Sequence, residues 1–146
     1  MMFPKKRSWQ HKRDIPYCML KKFLEWFGIK DQLHIAEHKP PFFREGELWW
    51  CHVGENVGNE INGKGVRFTR PVYIFKKYDR YSFLGLPLTT KEKIGTWYFP
   101  IVFRGKKQTV VLSQGRILDY RRLKEKMGEI SDTERTQVRN AYFKLH

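Results

Sequence analysis

Arg70 and Thr89 are the side chains best placed by type and spacing to do chemistry together. Arg70 stands where a basic, glycine-containing stretch with Lys64 and Arg67 runs into a strand-like segment, and Pro71 fixes the backbone beside it. Thr89 and Thr90 close the next strand-like segment. With a turn at Asp79-Arg80, nine residues separate Arg70 from Asp79 and nine separate Thr89 from Arg80, so the two face each other across a hairpin. A guanidinium gives paired donors and a fixed charge, and a hydroxyl gives one more donor, which together suit a phosphodiester. An ordinary surface cation at the start of a strand fits the same spacing.

Other chemistries find less support. His34-Ile-Ala-Glu-His38 has the H-x-x-E-H form that can set two histidines on one helix face. The prolines at 40 and 41 cut that helix short, and no acidic helix downstream offers a third ligand, so no metal is expected. Cys18, Cys51 and His52 lack ligand spacing. Ser82 and Ser113 lack the G-x-S-x-G turn of a strained nucleophile. The glycines of GNEINGKG are not followed by Lys-Ser/Thr and open no helix, so they read as a loop and not as a nucleotide cradle.

The composition points to a polyanionic partner. The chain has 29 Lys and Arg against 15 Asp and Glu, a net charge of +14. Residues 1–40 hold nine basic and four acidic residues, so the excess is not confined to one end. A nucleic acid fits this balance because neutralised phosphates release counterions; an acidic protein partner or simple solubility are the other readings. With 40% hydrophobic residues in 146, one domain with a real core is expected. Two cysteines fit a reducing cytosol, no apolar run spans a membrane, and the basic N-terminus lacks the apolar stretch of a secretory signal, so a cytoplasmic protein is expected.

The elements that must position these residues divide at Lys39-Pro40-Pro41. Residues 1–40 read as an appendage: a basic arm, a helix from Ile15 to Phe27 with Leu20, Phe23, Leu24 and Phe27 on one face, a stop at Gly28, and a second short helix from Asp31 to His38. Residues 41–146 read as the main domain. Strands are expected over 47–54, 71–78, 81–89, 95–103 and 108–113, with a turn at 104–107, which favours a small bent sheet or partly open barrel. Trp49 and Trp50 must point to opposite faces, one of them to the core. Asp119 predicts a helix over 120–127 ended by Gly128. Ser131 and Glu134 have capping-box spacing before an apolar stripe of Val138, Ala141, Tyr142 and Leu145.

Several short motifs occur in order: Phe43-Arg-Glu-Gly-Glu-Leu-Trp-Trp50, Gly54, Gly58-Asn-Glu60, Gly65, Arg70-Pro71-Val72, Pro87-Leu-Thr-Thr90, Ser113-Gln-Gly-Arg-Ile-Leu-Asp119 and Arg122-Leu123. Over roughly residues 42–145 the chain resembles the MazF/PemK toxins, the ribonuclease half of type II toxin–antitoxin systems. The resemblance implies a mainly β fold with α-helices: an SH3-like, partly open barrel with C-terminal helices, to which the N-terminal helices are an addition. It also implies a homodimer, an acidic antitoxin that folds on binding, and a single-stranded RNA substrate.

Carried over residue by residue, the family's R-P-V arginine is Arg70 and its catalytic threonine is Thr89. Its Gly-Ser-Glu-Gln loop matches Gly58-Asn59-Glu60-Ile61, so Glu60 becomes a third catalytic candidate while Asn59 and Ile61 depart from the pattern. Gln114 and Arg116 match the Gln-x-Arg segment near the RNA groove or dimer contact, and Ser113 replaces a usual acidic residue. The implied reaction needs no metal or other cofactor. The RNA's own 2′-hydroxyl attacks phosphorus, leaving a 2′,3′-cyclic phosphate and a 5′-hydroxyl. Arg70 serves better as fixed charge than as base, since a guanidinium hardly deprotonates. Glu60 relays a proton or orients Arg70. Lys64, Arg67, Arg104 and Lys106 are candidates to track the backbone beside Thr90, and Trp97 and Tyr98 to stack bases, with barrel core the plainer reading for one of these aromatics. A non-catalytic nucleic-acid-binding barrel and a pure antitoxin-docking module remain as alternatives.

Overall fold

A computed structural model describes residues 17–146. The expected basic arm and the helix start at Ile15 lie outside what it describes. α1 (Tyr17–Ile35) is one continuous helix and not two short ones. Gly28 does not end it. A mid-helix glycine costs only about 1 kcal/mol relative to alanine, and Trp26, Ile29 and Leu33 on either side of it pack together around Phe68. The buried face is therefore Trp26, Ile29 and Leu33, while Phe23 and Phe27 remain 39% and 70% exposed. His34 ends up in the last helical turn and His38 beyond the helix, where Tyr120 Oη donates to the His38 carbonyl at 2.8 Å.

The remainder is an antiparallel, curled sheet followed by a helix. The strands are β1 (Glu47–His52), β2 (Thr69–Lys77), β3 (Ser82–Thr89), β4 (Tyr98–Phe103), β5 (Lys106–Val111), β6 (Arg116–Asp119) and β7 (Leu123–Glu129). Their order is β4-β5-β3-β2-β1-β7, with β6 also paired to β3. β3 gives its first half to β6 and its last residues to β5, so the sheet must bend along this strand. Bulges in β2–β3 and β1–β7 add curvature. The outcome is the expected mainly β, half-barrel architecture with flanking helices.

Alternation along β1 and β2 feeds two cores. Trp49, Cys51, Val72 and Ile74 join Phe43, Phe83 and Leu118 on one side. Leu48 and Tyr73 join Leu86, Leu88, Val110 and Val138 on the other. Trp49 is the buried member of its pair, its Nε1 donating to Glu47 at 2.7 Å, and Trp50 is 37% exposed.

The helix expected over 120–127 is absent. Asp119 does cap, accepting from the Arg121 amide at 2.9 Å, but only a single 3-10 turn over Tyr120–Arg122. The chain then enters β7, because the edge of β1 offers backbone partners from Glu47 to Cys51 that an isolated helix here could not match. Gly128 lies inside this strand. α2 (Asp132–Leu145) follows the sequence signals: the Ser131 hydroxyl accepts from the Glu134 amide, and Val138 is fully buried.

Candidate active site

Register decides whether Arg70 and Thr89 meet. Near the site β2 and β3 pair Val72 with Pro87 and Tyr73 with Leu86, and continuing by two residues sets Arg70 against Thr89. The hairpin tip is not the expected two-residue turn. The Tyr78 amide donates to Ser82, and the Asp79 carboxylate accepts from the Tyr81 and Ser82 amides, leaving a three-residue tip that shifts register by one. A bulge between Ile74 and Lys76 shifts it back. The expected facing pair thus results from two compensating departures.

Arg70 and Thr89 line one cavity of about 610 Å³, together with Lys64, Thr69, Pro71, Thr90, Arg104 and Lys106 and the apolar faces of Trp50, Phe103 and Met127. Among the described residues, four of the lining side chains are cationic and none is a carboxylate. Arg70 is pinned at two points: Nε donates to the Asn62 carbonyl at 2.7 Å and Nη1 to the Leu88 carbonyl at 3.0 Å. Burial holds its guanidinium below the ordinary arginine range, though an arginine remains cationic near neutrality. Thr89 Oγ1 accepts from the Lys91 amide at 3.2 Å, which leaves its hydroxyl proton to be donated elsewhere. The turn that brings in Arg104 and Lys106 is the two-residue Arg104-Gly105, both at positive φ, the geometry that suits a tight hairpin.

Glu60, Gln114 and Arg116 do not line this cavity. They share a neighbouring cleft of about 490 Å³. Glu60 is engaged locally, accepting from the Val57 amide at 2.8 Å. Gln114 clamps the loop, accepting from the Ile61 amide at 2.6 Å and donating to the Asn59 carbonyl at 3.1 Å. These contacts use backbone, so the departures at positions 59 and 61 leave them intact. Trp97 is 56% exposed and away from the cavity, so it is not barrel core; Tyr98 is half-buried at the start of β4. Arg67 also stands outside, its carbonyl accepting from His52 Nδ1 at 2.9 Å.

Gln108 and Met127 line the cavity without having been anticipated. Met127 was hidden by the helix expected there. Gln108 shares a face of β5 with the fully buried Val110, and that two-residue spacing places it inward.

His52 adds a pH dependence to the base of the loop. Burial, and after it the cations Arg67, Lys124 and Arg122, hold its folded-state pKa below 6.5. Its contribution to stability is then fully present above the unfolded value and is lost as pH falls below about 6.5. Denaturant midpoints should therefore drop between pH 7 and pH 5, and His52→Gln should flatten that part of the profile. An unchanged slope in the variant would remove His52 as the cause.

The family model for "PemK-like, MazF-like toxin of type II toxin-antitoxin system" matches residues 44–144, more than two thirds of the chain. Sequence comparison with curated proteins gives no significant match. Among solved structures, MazF (Form-I) from Deinococcus radiodurans aligns with a TM-score of 0.56 at 20% identity, covering 75% of this chain and 97% of that one. An endoribonuclease in complex with its cognate antitoxin, from a mycobacterial species, aligns at 0.54 and 14% identity, covering 70% and 93%. Likenesses at these identities carry the fold, and the family match carries the membership: this chain belongs to the PemK-like, MazF-like toxins of type II toxin–antitoxin systems.

Proposed function

We propose that this toxin cuts single-stranded RNA without a metal ion, through attack of the RNA's own 2′-hydroxyl on the adjacent phosphorus. The observation that carries the reading is the cavity of Arg70 and Thr89, which among the described residues gathers four cations and several hydroxyls but no carboxylate. Such a wall holds a phosphodiester and offers no oxygen set for a divalent cation. Arg70, held by two carbonyls, presents its remaining guanidinium N–H groups to the charge that develops on the phosphorane oxygens. Thr89 donates to a non-bridging oxygen. Lys64, Arg104 and Lys106 follow the flanking phosphates, and Trp50 and Phe103 give surfaces on which unstacked bases lie. Glu60, bonded to the Val57 amide, acts through the loop whose Asn62 carbonyl orients Arg70. As the 2′-oxygen bonds to phosphorus, the bond from phosphorus to the 5′-oxygen breaks. The 2′-hydroxyl gives up its proton to water in the open cavity and the leaving 5′-oxygen takes one from water, so the products are a 2′,3′-cyclic phosphate and a 5′-hydroxyl.

By the same family reading, the chain works as a homodimer in the cytoplasm, and an acidic antitoxin segment neutralises it. A net charge of +14 suits both the RNA and the antitoxin. Incubation with single-stranded RNA in excess EDTA tests the reaction: fragments ending in cyclic phosphate are expected. Salt-sensitive retention of intact RNA would instead mark a binding module without turnover.

A further inference from the structure

α1 lies outside the residues that match the family, which begin at Arg44. Its buried face nonetheless rests on the base of the loop that holds Arg70. Trp26 is 7% exposed, and its ring packs against Phe68 with centroids 5.7 Å apart. It fits so closely over Gly54 that a Cβ at that position would come within 2.3 Å of the indole. Arg122 lies over the same ring at 5.6 Å and donates to the His52 carbonyl at 3.0 Å, which fixes the end of β1.

Both residues under Trp26 are loop anchors. The Phe68 carbonyl accepts from the amides of Val53 and Gly54, and the Gly54 carbonyl accepts from the Gly63 amide at 2.8 Å. Lys64 and Thr69 exchange backbone hydrogen bonds beside it. The residue before Gly63 is Asn62, whose carbonyl receives Arg70 Nε. Phe68 itself has φ +52, a conformation an aromatic residue keeps only when its surroundings impose it.

We infer that Trp26 is a positioning residue for Arg70, acting through Gly54 and Phe68 on the carbonyl of Asn62; this rests on Arg70 being the catalytic arginine. α1 is then a clamp that this chain adds to the family's barrel. With the clamp removed, the loop from 53 to 68 opens more often, Arg70 keeps only its bond to Leu88, and the guanidinium spends less time aligned. A well-placed catalytic group is sensitive to displacements of this kind.

The test uses the full-length chain with Trp26→Leu, Trp26→Phe and Arg70→Ala. Amide exchange at Gly63, Lys64 and Thr69 is read alongside single-turnover cleavage of single-stranded RNA. Trp26→Leu should speed exchange at the three loop amides at least tenfold, leave amides of β3 and β5 unchanged, and slow cleavage at least tenfold. Trp26→Phe should recover most of both, because it keeps an aromatic face for Phe68 and Arg122. Wild-type exchange in Trp26→Leu overturns the inference, as does fast loop exchange with wild-type cleavage. If Trp26→Leu loses protection throughout the sheet, the phenylalanine variant decides: tight loop exchange with wild-type cleavage supports the clamp, and loop amides as fast as in a globally loosened chain overturn it. Full cleavage by Arg70→Ala would strike the catalytic assignment instead, and the exchange data would still report whether Trp26 holds the loop.

Discussion

Arg70→Ala is expected to lower RNA cleavage by two to three orders of magnitude while the chain stays folded. Loss of a preorganised donor facing developing negative charge costs about a hundred- to a thousandfold in rate. Arg70 also supplies the fixed charge of the site, so its removal should sit at the upper end. The structural cost is smaller. The carbonyls of Asn62 and Leu88 lose their guanidinium partner, but the cavity is open to water, which can replace it. An unsatisfied buried acceptor would cost about 1–3 kcal/mol against a typical total of about 5–15 kcal/mol. Arg70→Lys should recover part of the rate, since it keeps the charge and loses the fork that reaches both carbonyls. Thr89→Ala should cost less than Arg70→Ala, because it removes one neutral donor, and Thr89→Ser should be nearly silent. Single-turnover cleavage in EDTA, with thermal melts on the same samples, reads all four. A folded Arg70→Ala protein that cleaves within a few-fold of wild type would end the assignment of this cavity as the active site.

The facing of Arg70 and Thr89 was legible in the sequence because strand ends and hydroxyl positions are local signals. The reason it held was not legible, since the three-residue tip and the bulge at 75 depend on Asp79 capping and on how β3 bends toward β6. Likewise the capping box at Ser131 was readable from spacing alone, whereas Asp119 carried the same kind of signal and led into a strand. What separated them was tertiary: Val138 had a core to enter, and residues 123–129 had the free edge of β1. Trp26 was visible only as an apolar residue in a helix. Its partners, Gly54 and Phe68, lie far along the chain, and no local pattern announces a contact between them. Glu60 was legible by motif, but its place was not: its carboxylate accepts from the Val57 amide of its own loop and lines a cleft that Arg70 and Thr89 do not.

Gly63 offers a second large effect from a single methyl group. A Cβ there would come within 1.9 Å of the Phe68 carbonyl oxygen and 2.1 Å of its carbon. Both are backbone atoms, so no side chain can swing aside, and the strand of loop carrying Asn62 must move by an ångström or more. Displacements of that size near a catalytic group cost about a hundredfold in rate. Gly63→Ala is therefore expected to lower cleavage about a hundredfold through Arg70, while the sheet pairs, none of which includes position 63, persist. Gly58→Ala makes the comparison sharp. It lies in the same loop, with open space around its would-be Cβ and φ at +57. The left-handed backbone costs about 1–2 kcal/mol there, but no atom stands within 4 Å of the added methyl, so nothing pushes Asn62 aside and cleavage should change only a few-fold. Circular dichroism should read both variants as folded, and exchange at the Lys64 and Thr69 amides should rise in Gly63→Ala alone. Equal cleavage rates for the two variants would mean that the carbonyl of Asn62 does not set the reactive orientation of Arg70, and the bond that Arg70 donates to the Leu88 carbonyl would then have to suffice.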